Sequence, residues 1–249
     1  MHEEELGYRY VARTGIFRVA AAGDRLVALA CAIVRDDEWF LSGFWTLPTE
    51  QGRGLGGPLL RQVWEEGVRL GARRQFVWAS IDPPAIASYM KLGMLPGSQL
   101  FAFKGVPRIS ATDGLDTAPL TADAAAAIDR VVRGVPRVTD HQWWQGQAGY
   151  RARLVKRSGK VAGYYYIHDG AIGPAAWLAD ADGAPLLALA MKDAAADADE
   201  VQLVAPGMDH TAIAVALGAG LRLVRTSHLL WTEPFGQMEH YVPSGPLLF

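Results

Sequence analysis

The sequence predicts an α/β (α+β) chain in which one domain plan is laid down twice in tandem. Three observations carry this. Each half opens with short apolar runs joined by tight polar turns. Each continues into an apolar helical segment, a strand and a second short helix. The halves also share residues at one constant spacing. "GGPLL" at 56–60 returns as "GAPLL" at 183–187, and "DPPAIASYMKLGM" (Asp82–Met94) returns as "DHTAIAVALGAGL" (Asp209–Leu221), both 127 positions on. Without a gap, 11 of 39 positions across 56–94 and 183–221 are identical. That period is far too long for a solenoid. A length of 249 residues also suits two domains, at roughly 100–200 residues each. The domains are expected at 1–107 and 115–249, with "KGVPRISATDGLDTAP" (104–119), rich in Gly, Pro, Ser and Thr, as the linker.

In the first copy, 16–23, 25–34 and 38–46 read as strands joined by turns at Gly23-Asp24 and Asp36-Asp37, an antiparallel meander. A helix is expected over about 57–70, with Leu59, Leu60, Val63, Trp64 and Val68 as its apolar face. Residues 74–81 read as an apolar strand and 84–92 as a short helix ended by Gly93. "SQLFAF" (98–103) is expected to close the first sheet. The second copy repeats the plan with "RARLVKR", "VAGYYYI" and "IGPAAWL" as meander, "APLLALAMKDAAA" as helix, "EVQLVA" as strand, "TAIAVALGA" as short helix and "LVRTSHLLW" as last strand. It also carries about 35 extra residues in front, including "TADAAAAIDRVVRG", a helix capped by Thr121. The first copy has only about 15 residues before its meander, too few for that front.

Composition narrows the class. Half the residues are apolar, the net charge is −2 and the pI is near 6.3, which gives no general reason to expect a nucleic-acid partner. The single cysteine, Cys31, lies inside an apolar run and reads as a buried small hydrophobe. The acidic start is no signal peptide, and no apolar run reaches about 18 residues. A cytoplasmic protein is expected. No His/Cys/Asp cluster has metal-ligand spacing, and there is no Gly-x-Ser-x-Gly.

The chemistry points to "TLPTEQGRGLGGPLL" (46–60), where glycines sit between a strand and a helix. Such a loop holds phosphate oxygens on backbone N–H groups at a helix N-terminus. No Gly-Lys-Ser/Thr follows, so it is not a Walker loop. Gly52, Gly54 and Gly57 satisfy the dinucleotide pattern Gly-x-Gly-x-x-Gly, and Asp82 stands at the end of the next strand. That fold wants its glycines directly after a first parallel strand, whereas three meander strands and Leu47–Gln51 come first here. A second pattern fits throughout. Gln51-Gly52-Arg53-Gly54-Leu55-Gly56, after Thr46-Leu47-Pro48, matches Gln/Arg-x-x-Gly-x-Gly/Ala. Asp82-x-x-Ala85-x-x-x-Tyr89-x-x-x-Gly93-Met94 matches Asn-x-x-Ala-x-x-x-Tyr-x-x-x-Gly-Phe, with Asp for Asn and Met for Phe. In both motifs and their order the chain resembles the GNAT superfamily of acyl-CoA-dependent N-acyltransferases, as a tandem pair over essentially its whole length.

The resemblance implies two tandem GNAT-like domains, each a mixed, mostly antiparallel twisted sheet flanked by helices. It implies acetyl-CoA (or another acyl-CoA) as co-substrate, with no metal. Backbone amides of Gly52, Arg53, Gly54, Leu55 and Gly56, beside Gln51 and Gly57, would cradle the pyrophosphate. Trp45, Thr46 and Leu47 would splay from the neighbouring strand, pair with the pantetheine arm and polarise the thioester carbonyl. Tyr89 would protonate the departing thiolate. Asp82 and Ala85 lie along the same groove, Ala85 sharing a helix face with Tyr89 and leaving room for the arm.

At the 127 offset, Gly52, Arg53 and Gly54 become Ala179, Asp180 and Ala181, Asp182 replaces Leu55, and Ala216 replaces Tyr89. The second copy therefore reads as fold without chemistry, two carboxylates facing where phosphates would lie. The base that takes the amine's proton is open. The strand before the loop offers Ser42 and no carboxylate; Glu38 and Glu50 flank it, and His168 and Asp169 are candidates from the second copy. "WW" (143–144) and "YYY" (164–166) would line an apolar acceptor pocket or pack a core. The expected function is N-acetyl transfer to a primary amine of a small molecule by direct attack in a ternary complex. The protein is expected to be a monomer or homodimer, with no membrane or nucleic-acid partner. The alternative is a non-catalytic acyl-CoA-binding sensor, and acyl transfer to a protein or an aminoacyl-tRNA is a third reading.

Overall fold

The computed structural model describes residues 3–109 and 114–249. Along the chain the elements are α1 (Glu3–Thr14), β1 (Ile16–Ala22), β2 (Arg25–Arg35), β3 (Glu38–Thr46), α2 (Gly56–Arg69), β4 (Arg74–Ala79), α3 (Pro83–Met90) and β5 (Leu95–Gly105). There follow β6 (Asp116–Pro119), α4 (Ala122–Val132), α5 (Val138–Gly146), β7 (Arg151–Arg157), β8 (Lys160–His168), β9 (Ala171–Trp177), α6 (Asp180–Ala195), β10 (Val201–Pro206), α7 (His210–Gly218), β11 (Arg222–Trp231) and β12 (Tyr241–Val242). The strands and helices expected from sequence are all present, with ends shifted by a few residues. Residues 110–113 of the expected linker lie outside the described residues.

Two compact units result, and each borrows chain from the other half. The first is residues 1–97 with 228–234 and 246–249; the second is 98–227 with 235–245. "SQLFAF" therefore does not close the first sheet. As the main part of β5, Leu100–Gly105 pairs antiparallel with Pro206–Val201 of β10 in the second unit. The first unit instead uses His228–Trp231 of β11, antiparallel to Ala79–Phe76 of β4. The two closing strands sit at equivalent points of a duplicated plan. A one-dimensional reading has no means of telling an exchanged partner from an unexchanged one.

In the first unit the meander β1–β2–β3 is antiparallel and β3 pairs parallel with β4. Leu59, Leu60 and Val63 of α2 are buried against Ile16, Ala30, Trp39 and Leu41 of the sheet. At roughly 1.5–3 kcal/mol for each large apolar side chain taken from water, this face holds the helix in place. Trp64 is half-buried, edge-on to Trp39, but Val68, expected on the apolar face, is exposed. Gly67 takes its place there, because any Cβ at 67 would overlap the Trp39 indole, which donates to the Val63 carbonyl at 3.3 Å. On the opposite face Phe40, Phe76 and Trp78 pack around Phe249. The front of this unit is not empty: 12 residues suffice for the single helix α1.

The second unit pairs β6–β7–β8–β9 antiparallel and β9–β10 parallel. Its core joins Trp177, Leu186, Leu187, Met191, Leu203 and Leu221. Thr121 caps α4 as expected, its hydroxyl accepting from Ala124 N at 3.2 Å.

Candidate active site

The site begins with a change in how β3 is paired. On one edge β3 stays with β2 as far as Ala28↔Thr46, but the register jumps from Cys31↔Gly43 to Ala32↔Leu41, leaving Ser42 as an extra residue. This is a β-bulge, which bends a strand and re-aims the residues beyond it. On the other edge the parallel pairing with β4 runs from Glu38↔Arg74 to Leu41↔Val77 and stops at the bulge. β4 continues to Ala79, held by β11 on its far side. The two strands thus part beyond Leu41. Among the described residues no strand pairs with 42–46 on the β4 side, which leaves a row of main-chain groups to meet an extended ligand.

Side chains alternate across this open edge. Phe44 faces the helices, 6.0 Å from Tyr89 ring to ring, and a Cβ on Gly56 would come within 2.9 Å of it. Gly43 faces the other way, where a Cβ would lie 3.1 Å from the Tyr8 ring of α1. Alternation places Trp45 on the Gly43 face, 45% exposed.

The loop follows at once. Leu47 N still donates to Val27 O (2.9 Å), Pro48–Glu50 make a 3₁₀ turn, and Gln51 Nε2 donates to Thr46 O at 3.2 Å. Gly52 and Gly54 have φ of +77° and +78°, with open space where a Cβ would go. Glycine is therefore required by backbone conformation and not by crowding. Leu55, at the cap of α2, supplies no side-chain acceptor, so side-chain capping does not satisfy the first amides of that helix. These features suit an anion on the main chain. Glu50 lies buried beside them, accepting from Arg25 (2.8 Å) and Arg53 (2.9 Å), both of whose heads are exposed. Arg25 stands at the start of β2 and belongs to no motif; only folding brings it to the loop.

Tyr89, on α3, completes the group. Its ring is 5% exposed, and burial, reinforced by the charge of Asp82, holds its hydroxyl well above the usual phenol range. It therefore keeps its proton at neutral pH and can give one up to a stronger base. Asp82 caps α3 without a side-chain cap bond, and Ala85 packs one turn before Tyr89 against the same core. Ser42 is buried, and its hydroxyl lacks a hydrogen-bond partner among the described residues. Burial pushes the Cys31 thiol up to about 12, so it is inert as a nucleophile.

The candidate bases are dispersed. Glu50 is committed to two arginines. His168 and Asp169 belong to the second unit, His168 at the end of β8 stacked on Tyr150 (4.3 Å between ring centres) and Asp169 exposed in the following turn. Trp144 and Tyr164–Tyr166 are buried in the second unit, not lining an open pocket. There Tyr164 and His141 bond Asp129, Arg137 bonds the same carboxylate at 2.7 Å, and Tyr166 meets His141 and Gln145 at 3.0 Å each. Burial works against the Asp129 charge, but Arg137, His141 and Arg133 outweigh it and hold the carboxyl well below its usual range.

The second unit lacks the loop for a different reason than substitution. Trp39 pairs with Gln75, and Ala171 pairs with Gln202. Gln202 is 127 residues after Gln75, but Ala171 is 132 after Trp39, so five residues are missing between strand and helix. Asp180 and Asp182 lie in the first turn of α6 and are paired with His240 (2.7 Å) and Arg157 (2.6 Å). Ala216, in the place of Tyr89, is fully buried.

Comparison with known proteins agrees with this geometry. The acetyltransferase (GNAT) family model matches residues 2–94. A protein from Pyrococcus horikoshii provisionally classed as an acetyltransferase shares the fold over 99% of this chain and 84% of its own, with TM-score 0.79 and 16% identity. A tandem GNAT protein from the clavulanic acid biosynthesis pathway covers 92% and is covered over 88% (TM-score 0.57, 14% identity). A GCN5-related N-acetyltransferase from Sphaerobacter thermophilus covers 88% and is covered over 81% (TM-score 0.57, 16% identity). No curated protein sequence matches significantly. Residues 2–94 thus match the acetyltransferase (GNAT) family model, and the chain as a whole shares the fold of these GNAT structures. Family and fold support a general acyltransferase function, and the family normally uses acetyl-CoA. Among the described residues no group of His, Cys, Asp and Glu could hold a metal, and no helix is long and apolar enough to cross a membrane.

Proposed function

We propose that the first unit transfers an acetyl group from acetyl-CoA to the primary amine of a small molecule in the cytoplasm. The observation that carries this is the open edge of β3 beyond the Ser42 bulge, with the positive-φ glycine loop at one end and a buried, protonated Tyr89 beside it. Main-chain groups on the open edge of β3, at 44 and 46, pair with the pantetheine arm, Leu47 N being taken by Val27 O, amides of 52–56 take the pyrophosphate, and an N–H at the bulged edge polarises the thioester carbonyl. The amine nitrogen attacks that carbon directly. The new C–N bond forms as the C–S bond breaks, Tyr89 Oη gives its proton to the leaving sulfur, and the ammonium proton leaves to water or a base. The test is release of free thiol from acetyl-CoA across a panel of amines. Release with at least one amine supports the proposal. Tight coenzyme binding with no release for any amine favours a second reading, a non-catalytic acyl-CoA-binding module. That reading is favoured by one observation: the acidic candidate nearest the loop, Glu50, is already paired with Arg25 and Arg53.

A further inference from the structure

The second unit repeats the parting of strands seen in the first. Parallel pairing of β9 with β10 covers only Ala171↔Gln202 and Ile172↔Leu203. Beyond that, β9 keeps its partner on one edge, Ala175↔Tyr165 and Ala176↔Tyr164 of β8. A strand has two edges, so whatever else pairs with Ala175 and Ala176 lies on the β10 side. That partner is β12: Tyr241 pairs with Ala176 and Val242 with Ala175, antiparallel, and β12 also lies against β10. We infer that β12, entered through the 3₁₀ turn Met238–His240, is a resident strand that fills, in the second unit, the groove that stands open beside β3 in the first.

The segment is built to stay. Met238, Tyr241 and Val242 are buried, Tyr241 and Val242 at 0% exposure. The Tyr241 hydroxyl accepts from Arg137 at 2.8 Å, and the guanidinium of Arg133 lies 4.9 Å from the Tyr241 ring centre. Arg137 is itself fixed by the buried Asp129. A main-chain ladder and a buried charged anchor thus hold a peptide where the first unit offers an empty edge. With five residues gone from the turn before α6, the second groove has lost the phosphate end and acquired a permanent peptide occupant. Describing that groove as a former coenzyme groove rests on the function proposed above; its occupation by β12 does not.

Hydrogen exchange on the full chain, with and without acetyl-CoA, separates the two. Amides in 173–178 should be protected in the free protein and unchanged by acetyl-CoA. Amides in 42–47 should exchange faster in the free protein and gain at least tenfold protection with acetyl-CoA. Fast exchange of 173–178 in the free chain, or a gain there on adding acetyl-CoA, overturns the resident strand. No gain at 42–47, with 173–178 protected throughout, leaves the strand standing and sinks the proposed function. Tyr241→Phe keeps the ring but removes the oxygen that Arg137 bonds. It should raise exchange at 173–178 severalfold without altering 42–47; unchanged rates at 173–178 would overturn the anchoring role of the tyrosine.

Discussion

Tyr89 and Gly54 separate the two things this site is asked to do. In the proposed reaction the tyrosine hydroxyl acts as the thiolate departs and contributes little to holding the ground state, so Tyr89→Phe should lower kcat with the acetyl-CoA affinity nearly unchanged. A general acid is typically worth on the order of 10²–10⁴-fold. Steady-state kinetics with chemistry limiting check this, and a drop below about threefold would return Tyr89 to a packing role. Gly54 has the complementary part. Its φ of +78° and open surroundings allow an Asp with modest strain, on the order of 1–2 kcal/mol. The carboxylate would then lie where the proposed site places the diphosphate. Gly54→Asp should keep the circular dichroism spectrum and lose all coenzyme binding by calorimetry, since the second groove is filled. Residual binding of one equivalent would place the site elsewhere. Both positions stand out in the sequence because a motif fixes their spacing. Arg25 was not: it is 25 positions from Glu50, and only the β2–β3 hairpin brings them to 2.8 Å. The pairing of Asp180 with His240, 60 positions apart, escaped for the same reason.

At the scale of elements, the cap of α7 carries a pH dependence. Asp209 accepts from Ala212 N at 2.8 Å, but its other oxygen is buried without a partner among the described residues. Burial, with help from the charge of Glu239 and against two backbone N–H groups, pushes its carboxyl up to about 8. In the unfolded chain the same group ionises near 3.8. Between these values the folded protein holds a proton that the unfolded chain has lost. Folding takes up that proton, and Asp209 costs stability progressively as pH rises from about 4 to about 8, levelling above. Asp209→Asn keeps the cap acceptor and removes the charge. It should flatten the decline of Tm between pH 5 and 8 and stabilise the protein at pH 8 by at least about 1 kcal/mol, the worth of one pKa unit. A variant less stable than the parent at pH 8 would contradict this. Alternation and helical period found the strands and helices, including the capped α4, because those signals are local. They could not find the Ser42 bulge, which depends on how two strands register, or Gly67 as the true neighbour of Trp39.

The exchange of closing strands governs the molecule as a whole. The first unit buries His228–Trp231 against β4 and seats Phe249 among Phe40, Phe76 and Trp78. A fragment of residues 1–110 keeps the whole GNAT-matching region yet lacks both pieces, so it leaves the edge of β4 unpaired and that aromatic face bare. It should be insoluble or inactive when expressed alone. Soluble 1–110 with the full chain's kcat/KM for the same amine would refute this. By itself, the sequence determined the order of elements along each half and where the glycine loop and Tyr89 fall between them, because each is written as a period or spacing along the chain. Only the tertiary structure decided which strand closes which sheet, where β3 parts from β4, that Glu50 is held by arginines, and that β12 lies beside β9. These turn on pairings between distant segments, where two candidate partners offer nearly the same local pattern and packing selects one.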